Sequence, residues 1–158
     1  QSRSSAASDV YKRQGYDFSV FMQGVARTSF FIEPDKISPF VGERNALNVI
    51  ADNHWSINNP DPNAFWPRLS TYAIANNEQQ STWWQRDGDF LRLKNLEIGY
   101  TFPESENGIF SNINTRIYFT GLNLLTFSKF DLWDTEMGGN GLGYPPQKVY
   151  NIGLQVNF

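Results

Sequence analysis

The sequence predicts an all-β fold: the last four antiparallel strands of a large transmembrane β-barrel with long extracellular loops. Three observations predict it. Apolar and polar residues alternate over four separate stretches. The connections between those stretches run long, short, long. The chain finishes on an alternating strand whose final residue is Phe158.

The first fourteen residues stand apart. Asp9-Val10-Tyr11-Lys12-Arg13-Gln14 is what GATGTGTATAAGAGACAG encodes in frame, and that DNA resembles a transposon-end adapter used in sequencing libraries. The Ser/Ala-rich stretch before it has no period. Residues 1–14 are therefore expected to be an artefactual or disordered leader, outside the fold. The domain proper is 15–158.

The first strand is expected over about 15–26, where Tyr16, Phe18, Val20 and Met22 recur at period two. Residues 28–88 show no sustained period and hold Pro34, Pro39, Pro60, Pro62 and Pro67. A short helix is expected within Gly42 to Asp52, around Leu47 and Ile50. Such a connection is far longer than those inside compact soluble domains. The second strand, about 89–102, sets Leu96, Ile98, Tyr100 and Phe102 on one face and Asn95, Glu97, Gly99 and Thr101 on the other. Pro103 stops it, and 104–112 is a short polar turn. The third strand, about 114–128, alternates until Gly121-Leu122-Asn123, where a bulge would explain the blurred pattern. Gly138, Gly139, Gly141, Gly143, Pro145 and Pro146 mark 131–147 as loop. The last strand, about 148–158, carries Tyr150, Ile152, Leu154, Val156 and Phe158 on one face.

Alternation alone suits a soluble sandwich as well as a barrel. In a bilayer an open sheet leaves backbone groups unpaired, so spanning strands must close into a barrel. Three features favour the membrane. Long external loops and short periplasmic turns are the barrel pattern. Rings cluster at strand ends, at Tyr100 and Phe102, Phe127 and Phe130, Tyr150 and Phe158, where girdles belong. Arg92 and Lys94 share parity with the outward face of the second strand, but at its outer rim, where a charge costs only about 0–1 kcal/mol.

Other chemistries find little support. Cysteine is absent, which excludes disulfides and thiolate metal sites. The formal net charge of −3 without a basic block argues against a nucleic-acid partner. No run of about 18 apolar residues suggests a membrane helix. There is no G-x-S-x-G elbow, and Gly138-Gly139-Asn140-Gly141 lacks the lysine of a phosphate loop. His54, the one histidine, reads as a solvated loop residue. Asp131, Asp134, Glu136 and Asn140 have oxygens suited to Ca²⁺ but not EF-hand spacing, and read as an acidic external loop. No catalytic residue, cofactor or metal is assigned. Trp55, Trp66, Trp83, Trp84 and Trp133 all fall in external loops. Two roles stand open for them: contact with substrate or a lid protein, or packing within the loops.

The strands also carry a family resemblance. Asp87-Gly88-Asp89-Phe90-Leu91-Arg92-Leu93-Lys94-Asn95, continuing to Gly99-Tyr100-Thr101-Phe102-Pro103, is similar to the "DGSFLRLKNVTLGYTLP" stretch of SusC/RagA-like TonB-dependent transporters. Arg116-Ile117-Tyr118 through Gly121-Leu122-Asn123-Leu124-Leu125-Thr126 resembles that family's "RVYVSGQNLLT". Asp17 to Gly24 resembles its "FDLSVFFQG" strand, and Asn58-Asn59-Pro60 to Pro67-Arg68 its "WTPENPNAKYPRL" loop. The family's "DPE" is here Asp134-Thr135-Glu136.

The resemblance implies a C-terminal fragment of a 22-stranded outer-membrane barrel closed by an N-terminal plug. It implies non-enzymatic import of glycans or oligopeptides, driven through TonB by the missing N-terminal part, with a SusD-like lipoprotein as lid. It also implies that barrel assembly machinery reads the terminal strand, Tyr150 to Phe158. Partners would thus be membrane lipid, the lipoprotein, TonB, the assembly machinery and the substrate. Two other readings remain: a passive porin-like barrel, and a soluble aromatic-rich carbohydrate-binding β-sandwich. Residues 15–158 alone are expected to expose two open sheet edges and to aggregate without lipid or detergent.

Overall fold

The computed structural model describes residues 3–103 and 113–157. Phe158 and the short turn at 104–112 lie outside the described residues. The chain divides into two units, one of residues 1–28, 89–129 and 146–158, the other of 29–88 and 130–145.

The first unit is one antiparallel sheet. Its strands are β1 (Arg3–Arg13), β2 (Tyr16–Ala26), β5 (Phe90–Thr101), β6 (Asn114–Ser128) and β7 (Val149–Asn157), in the order β1-β2-β5-β6-β7. Strands β3 (Ser29–Phe31) and β4 (Gln85–Asp87) belong to the second unit. The sheet is open: β1 and β7 are its edges among the described residues.

β1 is a departure from the sequence expectation. Residues 3–13 pair with β2 along their whole length, from Arg3 opposite Ala26 to Arg13 opposite Tyr16. The physical reason is the hairpin. Gln14 and Gly15 both have positive φ, 52° and 84°, as a two-residue turn with the twist of the flanking strands requires. That turn folds the preceding segment back onto a β2 edge whose backbone groups lack partners.

The faces follow from register. Tyr16, Tyr100, Ile117 and Leu154 form one row across β2, β5, β6 and β7. Phe18, Ile98, Phe119 and Ile152 form the next. On the opposite face stand the rows Asp17, Gly99, Tyr118, Gly153 and Ser19, Glu97, Thr120, Asn151. The apolar face stays uncovered: Ile98 is 45% exposed, Ile152 80% and Leu154 66%. A sandwich would have buried these residues under a second sheet.

A bulge interrupts both ladders of β5. Against β2, Phe21 pairs with Asn95 but Met22 pairs with Leu93, which leaves Lys94 extra. Against β6, Asn95 and Leu93 pair with Leu122 and Leu125, so Asn123 and Leu124 both fall opposite Lys94. Asn123 takes a left-handed φ of 52° there. One inserted residue exchanges odd and even positions between faces. Leu91 and Leu93 therefore continue the apolar face that Leu96, Ile98 and Tyr100 begin. This corrects the expectation for Arg92. It pairs with Gln23 and Thr126 on the polar face and is buried, with its guanidinium 5.6 Å from the Phe90 ring centroid.

The connections meet the strands at opposite ends. Thr101 donates its N–H to the Gly15 carbonyl at 2.7 Å, and Phe102 donates to Thr115 at 2.9 Å, beside the short turn. At the other end Thr28 N–H donates to Asp89 Oδ1 (2.9 Å) and Ser128 Oγ–H to the Asp89 carbonyl (3.1 Å). There both long connections leave and return.

The second unit has its own core. Its strands β3 (Ser29–Phe31) and β4 (Gln85–Asp87) pair antiparallel. Short helices follow at α1 (Pro34–Ile37), α2 (Asn48–Asp52) and α3 (Ala75–Glu78), with 3-10 turns at Val41–Glu43, Thr82–Trp84 and Thr135–Met137. The helix expected within 42–52 is thus confined to its last five residues. Ile32, Ile37, Ile50, Phe65, Trp66, Trp84 and Phe130 pack together. Full burial of each such side chain contributes about 1.5–3 kcal/mol. Residues 130–145 are held to this core by Phe130, whose ring meets Phe30 edge-on at 5.1 Å, and by the Glu33 N–H to Gly139 carbonyl bond of 3.0 Å.

Candidate functional site

Two surfaces carry chemistry: the polar face of the sheet and a cleft in the second unit.

On the polar face, Arg116 of β6 reaches across β5 to β2. Its Nε donates to Asp17 Oδ1 at 3.0 Å, and its Nη2 donates to Asp17 Oδ2 and to Glu97 Oε1, the latter at 2.5 Å. The guanidinium carbon sits 5.0 Å from the Tyr118 ring centroid. Gly99 makes the crossing possible: a Cβ there would stand 2.5 Å from Asp17 Oδ1 and 2.6 Å from Arg116 Nη2. In the same way the Tyr118 ring lies across Gly153, where a Cβ would overlap it. Both glycines sit on the face where long polar side chains cross neighbouring strands. The polar hollow over these residues, about 700 Å³, is lined by Lys12, Asp17, Ser19, Glu97 and Arg116 among others. This network went unread at sequence level. Glycine inside an otherwise regular strand was its one signal.

The apolar face has the opposite character. Tyr16 and Tyr100 have ring centroids 4.6 Å apart, and Phe102 meets Tyr100 edge-on at 5.0 Å, which builds an aromatic cluster at the short-turn end. Phe127, 61% exposed and paired with Leu91, lies near the other end. Tyr150, Ile152, Leu154 and Val156 stand along β7 opposite Gly121, Phe119, Ile117 and Thr115. Phe158, the last residue of that series, lies outside the described residues.

The loop tryptophans separate into different roles. Trp66 and Trp84 are buried in the second unit's core, with ring centroids 5.1 Å apart. Trp84 Nε1–H donates to the Asn77 carbonyl at 2.9 Å. Trp55 is half-buried and joined to Trp66 by a backbone bond of 2.9 Å. Trp133 packs edge-on against Phe130 at 4.9 Å and donates from Nε1 to the Gly138 carbonyl. Trp83 lines a cleft, and its Nε1–H donates to the Phe65 carbonyl at 3.3 Å.

That cleft, about 760 Å³, is lined by Asn53, Asn63, Ser81, Thr82, Trp83 and Arg86 together with Pro62, Ala64 and Phe65. Arg86 Nη1 donates to the carbonyls of Trp83 (2.7 Å) and Gln85 (2.9 Å), and its guanidinium lies 5.6 Å from the Phe65 ring centroid. Burial pushes the Arg86 pKa down from its ordinary value.

Of the remaining candidates, His54, Asp134 and Asn140 have local structural partners. His54 Nδ1 lies 3.1 Å and 3.0 Å from the carbonyls of Ile50 and Ala51, at the C-terminal end of α2. Asp134 Oδ1 accepts the Glu136 N–H (3.0 Å) and Asn140 Oδ1 the Leu142 N–H (3.2 Å), so both serve turns. Among the described residues, no three His, Cys, Asp or Glu side chains stand together as metal ligands would. No helix among them is long and apolar enough to cross a membrane.

Comparison with known proteins gives consistent results. No family model matches the chain. A TonB-dependent receptor of Formosa agariphila is 30% identical over 156 residues, which covers 90% of this chain and 15% of the receptor. A second TonB-dependent receptor of that organism is 30% identical over 129 residues, covering 72% of this chain and 12% of the receptor. Among solved structures, the RagAB peptide transporter matches with a TM-score of 0.65 and 25% identity over 92% of this chain and 16% of that one. The RagAB peptide importer in its open-open state matches with a TM-score of 0.64, again at 25% identity, over the same shares. The chain thus spans about 15% of the length of the first relative it matches.

Proposed function

We propose that this chain, a relative of the TonB-dependent receptors and similar to SusC/RagA-like transporters, is the closing section of a 22-stranded importer barrel that takes up glycans or oligopeptides. Its place is the outer membrane. The uncovered apolar face meets lipid, and the polar face, with Arg116, Asp17 and Glu97, lines the interior. The two long connections face outward, where a SusD-like lipoprotein captures substrate. TonB acts through a part of the protein beyond this chain. Assembly machinery reads the terminal sequence from Tyr150 to Phe158. The protein moves its ligand without chemical change.

The observation that carries the reading is the division of one antiparallel sheet into an exposed apolar face and a charged polar face. In water that apolar face has no partner. In a bilayer it needs none. A sandwich is disfavoured by the same exposure.

The test is deletion of the gene that encodes this segment, followed by uptake of labelled oligopeptides and oligosaccharides by intact cells. Loss of uptake that also depends on TonB and on the inner-membrane proton gradient is the expected result. Lost uptake that ignores both would replace the importer with a passive barrel. A monodisperse, cooperatively melting chain in detergent-free buffer would replace it with a sandwich.

A further inference from the structure

The cleft of the second unit is lined by one cation, Arg86, and by no anionic side chain among the described residues. Arg86 donates to two backbone carbonyls and lies over a phenyl ring, and all three partners are uncharged. Among the described residues the cleft wall bears no carboxylate. A half-buried guanidinium is partly stripped of water and gains more from an anion than an exposed one does. Its planar fork suits a carboxylate better than any other common anionic group except phosphate.

The rest of the lining fits a polar ligand of several residues. Asn53 accepts the Phe65 N–H through Oδ1 at 3.1 Å, which leaves its amide NH₂ as a donor. Asn63, Ser81 and Thr82 are exposed and add amide and hydroxyl groups, and Trp83 adds an indole. A volume of about 760 Å³ lies within the range of small-ligand sites.

We infer that this cleft binds a carboxylate group of the incoming ligand, with Arg86 as its counter-ion and Asn53, Asn63 and Trp83 around it. The inference rests on the importer reading for its place on the outside of the cell, and it names the ligand chemistry. Two sources carry such a group: an acidic sugar of an oligosaccharide, or an acidic or C-terminal carboxylate of a peptide.

The test uses the complete receptor, purified in detergent, and calorimetric titration with trigalacturonate, triglutamate and the neutral trisaccharide maltotriose. One or both acidic probes bind, and maltotriose binds more weakly. Arg86→Gln weakens acidic-probe binding roughly tenfold to a hundredfold, and Arg86→Lys restores part of it. Because Arg86 also ties the carbonyls of Trp83 and Gln85, a second variant adds charge without removing packing. Asn63→Asp places a carboxylate at the exposed rim and weakens the acidic probes by a larger factor than it weakens maltotriose. Binding of trigalacturonate alone assigns the group to a sugar, and of triglutamate alone to a peptide. Equal affinity for acidic and neutral probes, or acidic binding indifferent to both Arg86→Gln and Asn63→Asp, would overturn the inference. Acidic binding that persists in a receptor whose cellular uptake ignores TonB would sink the importer reading and leave the cleft assignment standing.

Discussion

Arg116 pairs with Asp17 across an intervening strand, and the path between them runs over the bare backbone of Gly99. The pair therefore joins three strands through one guanidinium. Gly99→Ala would drive a methyl into both partners. We expect a loss of up to about 1 kcal/mol as the ion pair is displaced, read as a lower urea midpoint of the folded barrel band of the complete receptor. An unchanged midpoint would mean that the ion pair relaxes at no cost.

The two faces of β7 make opposite predictions for one substitution. Ile152→Arg sets a cation on the apolar face and costs about 2–4 kcal/mol at the bilayer midplane. Asn151→Arg, one residue away on the polar face, stays within about 0.5 kcal/mol. Outer-membrane yield of the two variants reads the difference. Equal yields would contradict the assignment of faces.

The bulge at Lys94 is open to a chemical test because the chain has no cysteine. Single cysteines at Leu91 and Glu97 share odd parity but lie on opposite faces, since Lys94 stands between them. In intact membranes a water-soluble maleimide should label Glu97→Cys and leave Leu91→Cys unlabelled. Labelling of both positions would mean that β5 alternates without interruption.

Trp84 is 1% exposed at the centre of the second unit's core. Trp84→Ala removes a large buried side chain and should cost about 3–5 kcal/mol. Limited proteolysis should then cut within residues 29–88, while the heat-modifiable signature of the barrel persists. Protease resistance equal to that of the parent would place the stability of this unit elsewhere.

These residues also show what a sequence reveals and what it hides. Strands β2, β5, β6 and β7 were legible because each carries a period-two pattern long enough to survive a local fault. The fault in β5 escaped. Leu91 and Leu93 alternate cleanly, as do Leu96 and Ile98, and the parity change between them shows only as two successive polar residues, Lys94 and Asn95. That doublet was the available signal, and reading past it put Arg92 on the wrong face. β1 was set aside for its resemblance to translated adapter, yet pairing needs little more than a turn and an unpaired edge. The second unit was hidden for a different reason. Its core joins Ile32, Ile50, Trp66, Trp84 and Phe130 across distant parts of the chain, and contacts of that kind leave no periodic trace. The cleft and Arg86 were illegible with it.

A loop region with a hydrophobic centre of its own has a consequence for how such a protein changes over generations. Ordinary long loops hold their shape only through what they touch, so new side chains at their tips tend to disorder them. Here core residues such as Ile50 and Trp84 maintain the shape, while exposed residues such as Asn63 and Ser81 line the cleft without being part of that core. Mutations at the rim can therefore accumulate without unfolding the segment and without altering the lipid-facing strands. The chemistry of the cleft rim can thus change over generations while the strands of the sheet are inherited intact.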